Sequence, residues 1–444
     1  MKKRILVLVV GSWAILSLAS CGGTAAKSPP SGFPYRVMAS QEVTAARTFG
    51  ALVIIDGKND SLPRASEISA GTSPTFMAMS PARNLLAVFD FATNSVYAVD
   101  TTKEATLGKV QLPGYTNSMV VPTSNPVGYA AVPTAFVTGF PYLGGIEVMN
   151  LSAQGINTTI AVTNAQTVVS NSTGAQLLVF NGTNSVYVLA PGNALPLVDL
   201  SCYNGVQNSV CTVVPGFDQP VFAIVAGTTA YIFNCGAECG GTQASIQTLD
   251  LNTFAVGVPV PVNGATYGFV NGSTLYVAGN GTPTGQLCTS LTAKINAPTA
   301  ATYCGTLDIM DLGATTDPYF NSPATEIAIP DGYHDQMDMS INGQLFVGSR
   351  NCTNIGNVGN PSGEVRGCLS IYNTNNNSMV FPPDNGNVNG LQSFTSRTVE
   401  YVAEGGNLRV YDTTKNILLI NDFLPEGTIN IVGYVGDIKA VDFF

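Results

Sequence analysis

One five-residue pattern constrains this chain more than any other feature: apolar, any residue, apolar, apolar, then Asp or Asn. It reads LVIID ending at Asp56, VYAVD at Asp100, IEVMN at Asn150, IQTLD at Asp250 with Thr248 as an imperfect match, LDIMD at Asp311, LSIYN at Asn373 and LRVYD at Asp412. An eighth copy, VYVLA, ends at Ala190 and has lost the polar stop. Intervals run from 39 residues (Asn373 to Asp412) to 62 residues (Asp311 to Asn373). The β-branched and aromatic filling makes each copy a strand, and the closing Asp or Asn begins a turn.

The surroundings repeat as well. An apolar strand such as NLLAVFD, QLLVFN or QLFVGSR precedes each copy, with a tight turn such as SPARN or SINGQ before it and another strand, TFMAMS or QMDMS, before that. A fourth strand follows, such as LGKVQL or TEIAIP. Four antiparallel strands per repeat predict the blades of a β-propeller, an all-β fold. Because each blade buries its faces on its neighbours, more than 400 residues can form one domain, over 35–444, where a single core stops growing near 250 to 300. An array of β-sandwiches is the competing arrangement.

Three stretches carry a family resemblance: SPARNLLAVFDFATNSVYAVDTT (Ser80 to Thr102), STGAQLLVFNGTNSVYVL (Ser172 to Leu189) and SINGQLFVGSR (Ser340 to Arg350). They resemble the YVTN-type β-propeller repeats of bacterial envelope proteins, and in degenerate form the likeness covers most of 36–444. It implies the fold and says almost nothing about function.

The start of the domain supplies only three strands (YRVMAS, ALVIID, RASEIS), and the chain ends in an unmatched one, VGDIKAVDFF. Together they predict eight blades, the last strand joining blade one and closing the ring; seven blades result if blade four or five is miscounted.

Lys2, Lys3 and Arg4 precede an apolar run too short to span a bilayer, so residues 1–20 read as a secretory signal. It ends in Leu18-Ala19-Ser20-Cys21, which resembles a lipobox, the resemblance implying lipidation of Cys21. Residues 21–34 are small, polar and proline-bearing, a flexible tether. Gly22 is not the Asp of inner-membrane retention, so the same resemblance points to the outer membrane. Losing the signal removes three of 18 basic residues and leaves 15 against 28 acidic, a net charge of −13. That balance, without a Lys/Arg cluster, argues against nucleic acid and against anionic headgroups, leaving membrane attachment to the lipid alone. The domain is expected to be monomeric.

Eight further cysteines, an even number in an exported chain, read as disulfides between sequence neighbours: Cys202 with Cys211, Cys235 with Cys239, Cys288 with Cys304, Cys352 with Cys368. Zinc would want four convergent Cys or His ligands, and the chain has one histidine. With strands numbered one to four outward from the axis, the last three bridges fall in the two-to-three loops of blades five to seven, and the first in the link between blades four and five. All four then decorate one face. In the chain-entropy model a fifteen-residue loop closed by a disulfide gains about 3 kcal/mol. Blade three adds PTAFVTGFPYLGG, whose Phe136, Phe140 and Tyr142 would form a contact surface or plug the channel mouth.

The lone His334 lies among Asp331, Asp335 and Asp338, where it could act as a general base or help hold a cation, or be a turn residue. No nucleophile elbow, phosphate loop or haem-attachment motif is present, and the only tryptophan, Trp13, is in the signal. No metal or cofactor is expected. The expectation is a lipid-anchored, non-catalytic binding or scaffold module for an envelope protein, peptide or glycan. The alternative is a lactonase-like hydrolase acting at the channel mouth.

Overall fold

A computed structural model describes residues 30–43, 50–63, 67–123, 125–192, 196–203, 210–281, 304–312, 325–352, 355–356, 365–366, 368–382, 386–421, 424 and 426–442. The signal, Cys21, most of the tether and Cys288 lie outside the described residues. Among the described residues no helix is long and apolar enough to cross a membrane.

Among the described residues eight sheets are antiparallel blades, with a further two-stranded ribbon, Ile355–Gly356 with Val365–Arg366, in the long loop of blade seven, and all eight copies of the repeat occupy the third position of their blades. Six of them turn by one mechanism. The Asx side chain accepts backbone N–H bonds from two residues on, as Asp56 does from Lys58 (2.9 Å), Asp100 from Thr102 (2.9 Å), Asn150 from Ser152 (3.1 Å), Asp250 from Asn252 (2.9 Å), Asn373 from Asn375 (2.9 Å) and Asp412 from Thr414 (2.8 Å). Four positions after each Asx stands a non-glycine residue in the left-handed region: Asp60, Glu104, Gln154, Phe254, Asn377 and Asn416, with φ between 50 and 60°. The chain reverses there and returns as the fourth strand.

Blade four, whose copy ends in Ala190, has no such stop. Its chain leaves the blade after Ser185–Leu189 and adds Val198–Asp199 in parallel to the outermost strand of blade three, Gly155–Ala161. Only then does it return as Cys211–Pro215, the fourth strand. The Cys202–Cys211 bridge therefore lies in the three-to-four connection of blade four. This corrects the placement in the link to blade five: without an Asx turn, the outermost strand begins 21 positions after Ala190 instead of the 5 seen after Asp100, Asn150, Asn373 and Asp412.

Blade one runs outward from the axis as Tyr434–Asp442, Tyr35–Glu42, Ala51–Asp56 and Glu67–Ile68, so the C-terminal strand closes the ring. Tyr35 pairs with Asp442 and Val37 with Ala440. The core is distributed as predicted, with one apolar cluster at each of the eight seams between neighbouring blades. Strands such as Leu85–Asp90 are buried on both faces because each face meets a neighbouring blade.

Candidate binding face

Two-to-three loops and inter-blade links share one end of the ring, the insert face. One-to-two and three-to-four turns share the other, the hairpin face, except that the long three-to-four connection of blade four runs alongside the outermost strand of blade three and so reaches the insert face. The chain enters the domain on the hairpin face: Tyr35 O accepts from Gly57 N in a three-to-four turn (2.9 Å), and Arg36 Nη1 donates to Thr101 O in the next one (2.7 Å). Ser31 N donates to Glu104 Oε2 at 2.7 Å in that same turn. The segment leading back toward Cys21 thus leaves from the face opposite the inserts.

On the insert face, blade three prolongs its central hairpin until Phe136 pairs with Leu143. The ring of Phe140, 5% exposed, sinks into the cluster between blades two and three. Tyr142 and Tyr203 stand edge-on to it at centroid distances of 5.6 and 5.2 Å, and lie 6.0 Å from each other. Phe136 is 75% exposed, Tyr142 54% and Tyr203 44%. Of the three aromatics singled out from the sequence, two are therefore presented to solvent and Phe140 is their anchor. A Cβ at Gly139 would lie 3.4 Å from Leu200 Cδ1, so the loop leans outward onto the segment alongside blade three.

Tyr203 was not legible as a member of this group, because its segment was assigned to a link elsewhere. The signal available is adjacency to Cys202. The bridge from Cys202 to Cys211, Cα atoms 5.3 Å apart, is buried in the seam between blades three and four and fixes the residue before Tyr203.

The other described bridges lie where the spacing placed them. Cys235–Cys239 (Cα–Cα 5.6 Å) closes a short 3₁₀ turn, Gly236–Cys239, in blade five, and Cys352–Cys368 (5.5 Å) closes the long loop of blade seven. The blade-five loop is tied down further by Asp218 Oδ2, which accepts from Thr242 N (2.8 Å) and Gln243 N (2.7 Å). Glu238 Oε2 accepts from Asn280 N at 2.9 Å, and burial pushes this carboxyl up to about 7. The proposed Cys288–Cys304 bridge lies outside the described residues, although Cys304 opens the third strand of blade six.

The acidic group around His334 is split among three environments. The His334 ring is 2% exposed, in the seam between blades six and seven, with Nε2 donating to Pro330 O (3.1 Å). A Cβ at Gly305 would come within 2.7 Å of its Cε1. Burial pushes this imidazole down to about 4, so it is neutral near pH 7. Asp335 forms an ion pair with Arg350 near the insert-face end of its strand; burial raises its carboxyl to about 6 against the pull of Arg350. Asp338 points to blade eight, where Oδ2 accepts from Ser393 N at 2.5 Å, and Asp331 offers its carbonyl to Ser349 Oγ at 3.2 Å. Among the described residues no cluster of three or more His, Cys, Asp or Glu side chains could hold a metal ion.

Fold and face define the class: an eight-bladed β-propeller with disulfide-closed loops. No family model and no curated protein matches the chain. Among solved structures it is similar to the dihydro-heme d1 dehydrogenase NirN, at 10% identity and a TM-score of 0.57, covering 93% of this chain and 78% of that one. A putative 6-phosphogluconolactonase from Bacteroides fragilis matches at 11% identity and a TM-score of 0.48, covering 94% and 100%. Hydrazine synthase from Kuenenia stuttgartiensis matches at 12% and 0.41, covering 77% of each chain. At such identities the likeness is one of fold.

Proposed function

We propose that this propeller is a binding module of the bacterial envelope, tethered through a lipid on Cys21, that engages its ligand with the insert face and carries out no chemistry itself. The observation that carries this reading is the exposed pair of Tyr142 and Tyr203, held by a buried Phe140 and a disulfide, with Phe136 a further exposed ring on the same loop. Large apolar side chains grouped at a surface mark interaction sites, and fixing them beforehand lowers the entropy lost on binding. The chain leaves from the hairpin face, so an anchor on Cys21 directs the insert face away from its own membrane.

Co-sedimentation with envelope fragments tests it. The full chain carrying Cys21→Ser, which removes the lipid, should sediment with envelopes of the cells that make it, and Tyr142→Ala with Tyr203→Ala should abolish this. Sedimentation unchanged by that pair of substitutions contradicts the reading.

A further inference from the structure

We propose that the paired rings of Tyr142 and Tyr203, with Phe136 exposed on the same loop, bind a neutral glycan chain. The inference rests on the insert-face reading and gives it a ligand class.

Charge is the first argument. The loop PTAFVTGFPYLGG (Pro133 to Gly145) has no ionisable group except the Tyr142 phenol, on a chain whose formal net charge is −10. Asp199, the one acid in the neighbouring segment, is 7% exposed and holds Ser201 N at 2.8 Å. An acidic or basic ligand would find no counter-charge here. A protein partner of standard size needs roughly 800 Å² per side and draws on Arg at its anchors; this loop offers neither Arg nor Lys.

Shape is the second. Tyr142 and Tyr203 meet Phe140 at interplanar angles of 74° and 82° and each other at 70°, so the pair presents a ring face beside a ring edge. A sugar ring offers axial C–H groups to an aromatic face and equatorial hydroxyls to the polar tip of a neighbouring tyrosine, and tyrosine supplies both an apolar body and a hydroxyl. Phe136, paired with Leu143 in the same hairpin, is a further exposed ring on this loop. Rigidity is the third: Cys202 and Phe140 are both buried, so the rings need little ordering to bind.

Isothermal titration with cellohexaose, chitohexaose and maltohexaose, and with trigalacturonate as a charged counterpart, decides the matter on the full chain carrying Cys21→Ser. At least one neutral oligosaccharide should bind, with Kd raised about tenfold or more by Tyr142→Ala and by Tyr203→Ala. Tyr142→Phe should keep the stacking and most of the affinity. Phe136→Ala changes a solvent-exposed ring, so its loss of affinity cannot be assigned to misfolding. No binding to any of the three neutral chains, tighter binding of trigalacturonate, or undiminished affinity in the alanine variants overturns the proposal. If the neutral chains fail while envelope sedimentation still depends on Tyr142 and Tyr203, the glycan assignment falls and the insert-face reading stands.

Discussion

The backbone amide of Met77, in the innermost strand of blade two, donates to Asp437 Oδ2 at 2.8 Å, although 360 positions separate the two residues. Asp437 lies on the closing strand, is 2% exposed and also accepts from Lys439 Nζ at 2.9 Å. The ring's closure is thus bonded forward into the next blade as well as sideways into blade one. Asp437→Ala would leave a buried N–H and an ammonium without their partner, a change that costs about 3 kcal/mol. Denaturant unfolding should show that loss, and removal of 434–442 a larger one. Wild-type stability in the truncated chain contradicts closure by this strand.

Buried carboxyls set the pH dependence. Burial pushes Glu147 and Asp308, both fully buried, up to about 7. It also raises Glu400 well above its ordinary value, with Asp338 across the seam between blades seven and eight adding to the shift. A raised carboxyl stabilises the fold fully below its unfolded pKa, 4.5 for Glu147 and Glu400 and 3.8 for Asp308, and loses that contribution as pH climbs through the folded value. The Asp100 and Asp412 carboxyls go the other way: against the cost of burial, hydrogen bonds led by Thr102 and Thr414 hold them below 3.8, and their contribution fades only in stronger acid. Stability should therefore peak near pH 4 to 5 and fall between about 4.5 and 7. Glu147→Gln keeps an acceptor for Thr159 Oγ1 and should stabilise the protein at pH 8 by on the order of 3 kcal/mol, leaving pH 4 unaffected. Equal unfolding free energies at pH 5 and pH 8 contradict this.

The Cys202–Cys211 bridge should act locally. Its closed loop is short, so replacing both cysteines by serine costs about 2 to 3 kcal/mol, while amide exchange should quicken most around 198–203, alongside blade three. Exchange that quickens equally in all blades argues against a role specific to Tyr203.

Gly305 provides a test of the seam that holds His334. An added methyl group would meet the His334 ring and the carbonyls of Gly279 and Pro330, all within 2.8 Å. Gly305→Ala should destabilise by about 1 to 3 kcal/mol, as overpacking does. A neutral result would mean that the imidazole is free to move from the seam.

The fold was legible because the third strand of each blade carries both its apolar pattern and, at six positions with a described turn, the side chain that makes that turn. Where Ala190 replaces the Asx residue the reading slipped, and the outermost strand of blade four and its disulfide were misplaced with it. Of the left-handed residues four positions on, Asp60, Asn377 and Asn416 are types that favour this conformation, but Glu104, Gln154 and Phe254 are not, and nothing in the sequence announces them. The group around His334 misled for a different reason. Neighbours along a strand face opposite sides, and the register shift between His334 and Gln336 breaks even that alternation, so residues adjacent in sequence enter three environments. Glu400 gave no sign of its burial, since its strand reads as a polar-edged one until blade seven is laid against it.

The central claim, that the insert face is the working surface, is tested most directly by hydroxyl-radical footprinting of the protein in its native envelope and free in solution. Phe136, Tyr142 and Tyr203 should be protected in the envelope, while Ile341 and Ile417, exposed on the hairpin face, change less. Rings as reactive in the envelope as in solution, or protection centred on Ile341 and Ile417 instead, would contradict it.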